Sequence, residues 1–256
     1  VLELGNPGED ELLLLALTGH WWGVPFLLLL FGGSLALLIL LVPDPAGFRR
    51  ALAAARLASR AERPTWPREE LRGWLPAVLL VCAVHLTLLL QTAWLSDDVY
   101  ITLRSVANLA AGDGPIWNPG ERVQAYTHPL WMGLLTVTQL LIGSDFAAAL
   151  GLGLVCSGLT LYLAIFRVSR SAQSALMAAV LLSVSMAYMD YSTSGLENPL
   201  LHLLMVLFVL TYLNAGDGRG ALFRLWFIFA MALLTRMDAA LLLLPGVFLE
   251  AASVAA

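Results

Sequence analysis

Long apolar runs separated by short polar connections leave this chain few folds to choose from. Residues 24–42 (VPFLLLLFGGSLALLILLV), 74–94, 145–166, 172–189, 199–213, 222–234 and 239–255 are dominated by Leu, Ala, Val, Ile and Phe. A helix that crosses a bilayer needs roughly 17–25 such residues. Within hydrocarbon, continuous apolar runs of this kind satisfy their own backbone hydrogen bonds only as helices. Charge is correspondingly scarce, with 12% charged and 59% hydrophobic residues, where ordinary soluble domains carry about 25% charged. The fold class is therefore all-α: a polytopic membrane protein of about six spans plus surface helices, with the lipid bilayer as its partner. A formal net charge of −4, with no basic stripe interleaved with aromatics, excludes nucleic acid. Cys82 and Cys156 lie singly inside apolar runs, without metal-ligand spacing, and read as packing residues.

Arginine distribution orients the spans. Arg49, Arg50, Arg56, Arg60, Arg63, Arg68 and Arg72 are seven of the fourteen basic residues, gathered in one hydrophilic stretch. By the positive-inside rule that stretch is cytoplasmic; binding to anionic lipid headgroups is its alternative use. Three regions follow. Residues 1–48 form an N-terminal anchor helix flanked by Trp21 and Trp22, because the acidic start lacks the basic n-region of a signal peptide. Residues 49–73 are an Arg-rich cytoplasmic linker, and 74–256 a transmembrane module whose external loop is 95–128. Residues 129–142 are too short to span comfortably and are expected to lie along the outer surface, which returns Arg167 and Arg170 to the cytoplasm. The polar clusters 190–198 and 235–238 then share the external side with the loop. The last apolar run reaches the end of the sequence, so the chain is expected to be a fragment of a longer one.

The external loop carries the chemistry. Ser96-Asp97-Asp98 followed by VYITLRSVANLAAG reads as an N-cap, a helix, and a stop at Gly112. At 100° per residue, Asp97, Ile101, Arg104 and Asn108 share one narrow sector, opposite Val99, Leu103, Val106 and Ala110. Tight turns follow in GDGPIWNPGE, then Glu121, Arg122, Gln124, Tyr126 and His128. Asp97 and Asp98 suit helix capping, a general base toward a hydroxyl, or ligation of a divalent cation. Arg104, Arg122 and Arg236 suit a phosphate clamp. Salt bridges from Arg122 to Glu121 and from Arg236 to Asp238 are the plainer alternatives. Glu197 sits at a helix start, where it either caps or meets substrate. His128 either bonds substrate or rests at the interface. His85 and His202 read as packing histidines satisfied by a neighbouring helix; His20 has no assigned role.

DDVYITLRSVANLAAGDGPIWNPGERVQAYTHPLW, then YSTSGLENP, then LLTRMD, together resemble the GT-C-type polytopic membrane glycosyltransferases. Within them the chain is most similar, over about residues 90–245, to the terminal arabinofuranosyltransferases of mycobacterial cell-wall assembly and their bacterial relatives. The resemblance implies a GT-C-like helix bundle in the bacterial inner membrane, with an active site on the extracytoplasmic face. It implies an inverting transferase that takes a sugar, such as a pentofuranose, from a polyprenyl-phosphate donor to a cell-envelope glycan acceptor. The essential aspartate of the first external loop maps to Asp97 or Asp98. Arg104, Asn108, Glu121, Arg122, Tyr126, His128, Glu197 and Arg236 are the candidate substrate-binding residues, and a divalent cation is the one cofactor to consider. A glycolipid transporter or flippase is the rival reading; it calls for mid-bilayer charges and paired interrupted spans. A non-catalytic scaffold is the third.

Overall fold

The computed structural model describes residues 68–121, 123–169, 171–214 and 219–255. The expected anchor helix, the linker arginines up to Arg63, His20, Arg122 and Arg170 lie outside the described residues. Among those residues the structure is helical, without strands. The helices are α1 (Arg68–Gln91), α2 (Asp97–Ala111), α3 (Pro129–Ile142), α4 (Asp145–Leu163, extended by a π-helical turn Ala164–Val168) and α5 (Ala172–Val184). They continue with α6 (Met186–Thr193), α7 (Asn198–Leu213), α8 (Arg219–Thr235) and α9 (Ala239–Ala255).

Hydropathy located these helices better than it measured them. Among the described residues, only Gly73–Gln91 within α1 and Asp145–Val168 are both long and apolar enough to cross a membrane, with mean hydropathy of 2.1 and 2.0. α5 and α6 together reach that length but bend by 67° at their junction. The sequence suggested a single crossing over 172–189. Ser185 breaks it: its backbone is extended, with ψ 103°, and its hydroxyl accepts the Tyr188 N–H at 3.4 Å, which starts a new helix. α3, α7, α8 and α9 are apolar but shorter, roughly 20–26 Å at 1.5 Å per residue against a hydrocarbon core of about 30 Å. α1 also starts inside the segment expected as linker, because Arg68, Glu69, Glu70 and Leu71 are good helix formers.

Two apolar clusters hold the helices together. The larger gathers Val106 of α2, Trp131 and Leu135 of α3, Cys156 of α4, Phe208 of α7, Phe229 of α8 and Val247 of α9. The smaller joins Val78 of α1, Leu161 and Ile165 of α4 and its π turn, and Ala175 and Ala179 of α5. Small residues permit the closest approaches. A Cβ on Gly153 of α4 would lie 2.6 Å from the Ser192 carbonyl oxygen of α6, so only glycine lets these two backbones meet. The outward faces are greasy: Leu80, Met177, Leu181, Phe223 and Leu242 are all well exposed. In water such faces would drive association, whereas in lipid they are the solvated surface.

Candidate functional site

One end of the bundle collects the start of α2, the start of α3, the α6–α7 turn and the α8–α9 turn. Three long-range hydrogen bonds to backbone carbonyls fasten it. The Ser96 N–H donates to the Ser194 carbonyl at 2.9 Å. The Trp94 indole donates to the Asp190 carbonyl at 3.1 Å. The Trp131 indole, fully buried, donates to the Gly195 carbonyl at 2.9 Å. Gly195 has φ +79°, and a Cβ there would lie 2.8 Å from Val99 Cγ2 and 2.9 Å from Leu95 Cδ2. The turn therefore needs glycine twice, for its left-handed backbone and for the side chains pressed against it.

This corner brings together several of the candidate residues. Glu197 stands at the N-cap of α7 but makes no capping bond with its side chain. Instead Glu197 Oε2 lies 3.5 Å from His128 Nδ1, and Oε1 lies 3.5 Å from Arg236 Nη1. His128 Nε2 in turn lies 2.9 Å from Thr102 Oγ1 on α2. Arg236 donates from Nε and Nη2 to the two Asp238 oxygens at 3.0 and 2.8 Å, and from Nη1 to Asn198 Oδ1 at 3.0 Å. Thr102, His128 and Glu197 are all buried, while Asp238 is exposed. The result is a continuous polar chain, Thr102–His128–Glu197–Arg236–Asp238, drawn from α2 and three connections of the fold.

Its electrostatics follow from burial and pairing. Desolvation lowers the His128 pKa; the adjacent Glu197 opposes that shift and Arg236 adds to it. The hydrogen bonds from Arg236 hold the Asp238 carboxyl below its usual range, and the same bonds hold the guanidinium firmly charged. One guanidinium against two carboxylates, beside a neutral imidazole, leaves an excess of negative charge. The forked face that Arg236 would offer a phosphate is already engaged by Asp238.

Asp97 and Asp98 begin α2 at the same corner and are exposed. Through the Ser96–Ser194 bond, the Cα atoms of Asp97 and Glu197 are at most roughly 20 Å apart by chain length alone. Asp97 Oδ1 accepts from the Ser96 hydroxyl at 3.2 Å and from the Asp98 N–H at 3.0 Å, so this carboxylate is partly spent on the helix end. No such bond is made by the Asp98 carboxylate among the described residues. The other sector of α2 is turned to a different purpose. Arg104 donates from Nε to the Trp117 carbonyl at 3.0 Å and from Nη2 to Asn118 Oδ1, with its guanidinium carbon 4.7 Å above the Trp117 ring. Asn108 donates to the Ile116 and Trp117 carbonyls at 2.8 and 3.0 Å. Asn118 donates to Glu121 at 2.8 Å. Arg104, Asn108 and Glu121 thus fold the 116–121 turn onto α2, and Tyr126 packs against the larger apolar cluster.

Sequence reasoning missed Thr102, Trp131, Gly195 and Asn198. Trp131 carried a usable signal, since a tryptophan set in an apolar helix needs an acceptor for its indole N–H. Away from the corner, a groove of about 300 Å³ opens between α1 and α4, lined by residues including Cys82, His85, Leu89, Tyr162 and Phe166. None of the candidate site residues lines it. His85 is satisfied on one nitrogen by Ser183 of α5 at 3.0 Å. His202 stacks near Tyr188 at 5.4 Å, while its Nδ1 has no partner among the described residues.

Comparison with known proteins gives two matches of segments. The chain is 38% identical over 122 residues to the terminal β-(1→2)-arabinofuranosyltransferase of Mycobacterium tuberculosis, covering 43% of this chain and 19% of that protein. It is 60% identical over 38 residues to the protein of the same description from Corynebacterium glutamicum, covering 15% of this chain and 6% of that protein. No family model matches the chain, and no solved structure does. The chain thus aligns with less than a fifth of the length of the relatives it matches. Its likeness to terminal arabinofuranosyltransferases is a resemblance of segments, carried on an all-α membrane scaffold.

Proposed function

We propose that this chain forms part of a membrane glycosyltransferase. It moves a sugar, best matched to a pentofuranose, from a polyprenyl-phosphate donor to a cell-envelope glycan. The reaction takes place on the extracytoplasmic face of the bacterial inner membrane, with inversion. The observation that carries this reading is the corner itself: acids, a fixed guanidinium and a buried histidine from four connections converge at one end of a lipid-solvated bundle. In the reaction the acceptor oxygen forms a bond to the anomeric carbon as the bond from that carbon to the phosphate oxygen breaks. The hydroxyl proton passes to a carboxylate, and the polyprenyl phosphate leaves with the electron pair.

Asp98 is the better candidate for that carboxylate. It lies four residues before Thr102 and so shares that face of α2, the face tied to His128 and Glu197. Asp97 shares its sector with Ile101, Arg104 and Asn108, and its carboxylate already accepts two hydrogen bonds. Glu197 would bind sugar hydroxyls, with His128 behind it. Among the described residues no group of three or more His, Cys, Asp and Glu is placed to hold a metal ion. A divalent cation at Asp97 or Asp98 would therefore take further ligands from phosphate oxygens and water.

The test compares Asp97→Asn and Asp98→Asn in the intact protein, assayed for pentose transfer from a polyprenyl-phosphate donor. Loss of a general base is expected to slow Asp98→Asn by about 10²–10⁴-fold, with Asp97→Asn affected less. Wild-type turnover in both variants would end the transferase reading. Flux of an intact glycolipid without covalent product would favour transport, for which the bent α5–α6 pair is the supporting feature.

A further inference from the structure

Thr102 lies inside α2, is 2% exposed, and stands 2.9 Å from His128 Nε2. Nothing in the sequence marks it. We infer that Thr102 and His128 are positioning residues that hold Glu197 in its working orientation, with His128 as the neutral tautomer carrying its proton on Nδ1. This inference rests on the transferase reading only where it speaks of turnover.

The geometry decides the tautomer. A neutral imidazole has one N–H and one lone pair. Nδ1 faces a Glu197 carboxylate oxygen at 3.5 Å, and Nε2 faces a hydroxyl at 2.9 Å. A proton on Nε2 would be donated to Thr102 and would leave the Nδ1 lone pair directed at a carboxylate, with no proton between two acceptors. A proton on Nδ1 instead stands between the ring and a carboxylate oxygen 3.5 Å away, and the Thr102 hydroxyl donates to the Nε2 lone pair. Only the second arrangement satisfies both contacts.

The other groups around the ring agree with it. From the α8–α9 turn, Arg236 faces the same carboxylate with Asp238 behind it, and from α2 the nearest acid to Thr102 on its face is Asp98, one turn back. A second positive charge on the ring would sit against Arg236, in a buried place. Glu197 is then flanked on both sides, with His128 Nδ1 3.5 Å from Oε2 and the guanidinium Nη1 3.5 Å from Oε1. Rotation of its carboxylate plane would carry an oxygen away from one of the two. The Thr102 hydroxyl fixes the ring that fixes the acid. Neither Thr102 nor His128 needs to touch the reacting atoms for this.

Two variants of the intact protein test it: Thr102→Val, which keeps the shape and removes the hydroxyl, and Thr102→Ser, which keeps the hydroxyl. ¹⁵N NMR of histidine-labelled protein, with the His128 signals identified by their loss in His128→Gln, is expected to find the proton on Nδ1 and a hydrogen-bonded Nε2. Thr102→Val should move the Nε2 resonance to its unbonded position and lower kcat/KM roughly tenfold or more, as loss of supporting partners does elsewhere. Thr102→Ser should restore both. A proton found on Nε2, or an Nε2 resonance unmoved by Thr102→Val, overturns the tautomer. Wild-type kcat/KM in Thr102→Val, or failure of Thr102→Ser to rescue it, overturns the positioning role. If the wild-type protein transfers no sugar, the transferase reading fails while the NMR result still judges the hydrogen-bonded chain.

Discussion

Gly195→Ala is the sharpest perturbation of the corner, because the structure separates its two costs. The first is conformational: at φ +79° a residue with a Cβ is in the left-handed region, at a cost of roughly 1–2 kcal/mol. The second is steric: the new methyl would lie 2.8 Å from Val99 Cγ2 and 2.9 Å from Leu95 Cδ2. Overpacking of that kind costs about 1–3 kcal/mol. Together they amount to about 2–5 kcal/mol. Gly112 supplies the control, since its φ is +93° and nothing lies within 4 Å of where its Cβ would be. Gly112→Ala should incur the first cost alone. The difference of about 1–3 kcal/mol corresponds to roughly 2–12 °C in the unfolding midpoint for a domain of this size. Thermal unfolding in lipid nanodiscs measures it, with wild type and both variants in parallel. The strain should also show in function, because the displaced turn carries Glu197 two residues on. Equal midpoints for the two variants would refute the claim that Leu95 and Val99 press on this turn.

Other perturbations probe the same corner. Trp131→Phe keeps the ring in the core but strands the Gly195 carbonyl, a loss of about 1–3 kcal/mol for a buried unsatisfied group; an unchanged melting midpoint would mean that bond is dispensable. Arg236→Lys keeps the charge but cannot span Asp238 and Asn198 together. Transfer is expected to fall by tenfold or more while the melting midpoint moves little, since the guanidinium is 37% exposed and its pairing is screened; a Lys variant with full activity would remove Arg236 from the site. Stability should decline in acid in two stages. His128 has a folded-state pKa below its ordinary 6.5, and Asp238 one below 3.8. Each contributes fully above those unfolded-state values and loses its contribution as pH falls through the lower folded value. His128→Gln should shrink the first decline, and a first decline of unchanged size in that variant would assign it elsewhere.

Much of this arrangement was legible in the residues, and what was not has physical reasons. The apolar runs announce the medium, because hydrocarbon admits little else. They do not announce helix length, since Ser185 can start a new helix using one hydroxyl in a run that hydropathy reads as continuous. α2 was legible at both ends: Asp97 opens it and Gly112, at φ +93°, closes it as its αL position requires. The wheel also placed Arg104 and Asn108 on one face. It could not reveal that the 116–118 turn folds back and takes up both side chains, because that contact is made only when the turn closes. Glu197 and Arg236 were visible as charges beside apolar runs, whereas their meeting depends on residues 39 positions apart being held at one end of the bundle. Thr102 was invisible because a threonine within a helix looks alike whether it faces lipid, a carbonyl or an imidazole.

The balance of charge gives α2 two unlike sides. On one side, Thr102 leads through His128 to Glu197, Arg236 and Asp238, where carboxylates outnumber the guanidinium that joins them. A phosphate brought there meets net repulsion, because the forked donors it would need are already bound to Asp238. Sugar hydroxyls meet no such penalty, and they find fixed acceptors whose desolvation has already been met by folding. On the other side, Arg104 lies exposed over the Trp117 ring, its charge unmatched by any carboxylate in direct contact among the described residues. On the proposed reading, an anionic donor headgroup would be better accommodated on the Arg104 side, and an acceptor glycan on the Glu197 side. The first turn of α2 lies between them, and there Asp98 is within one helical turn of the hydroxyl-binding face. On the proposed reading Asp98 would stand on the acceptor side, where it could take the hydroxyl proton as the acceptor oxygen attacks the anomeric carbon from the face opposite the phosphate.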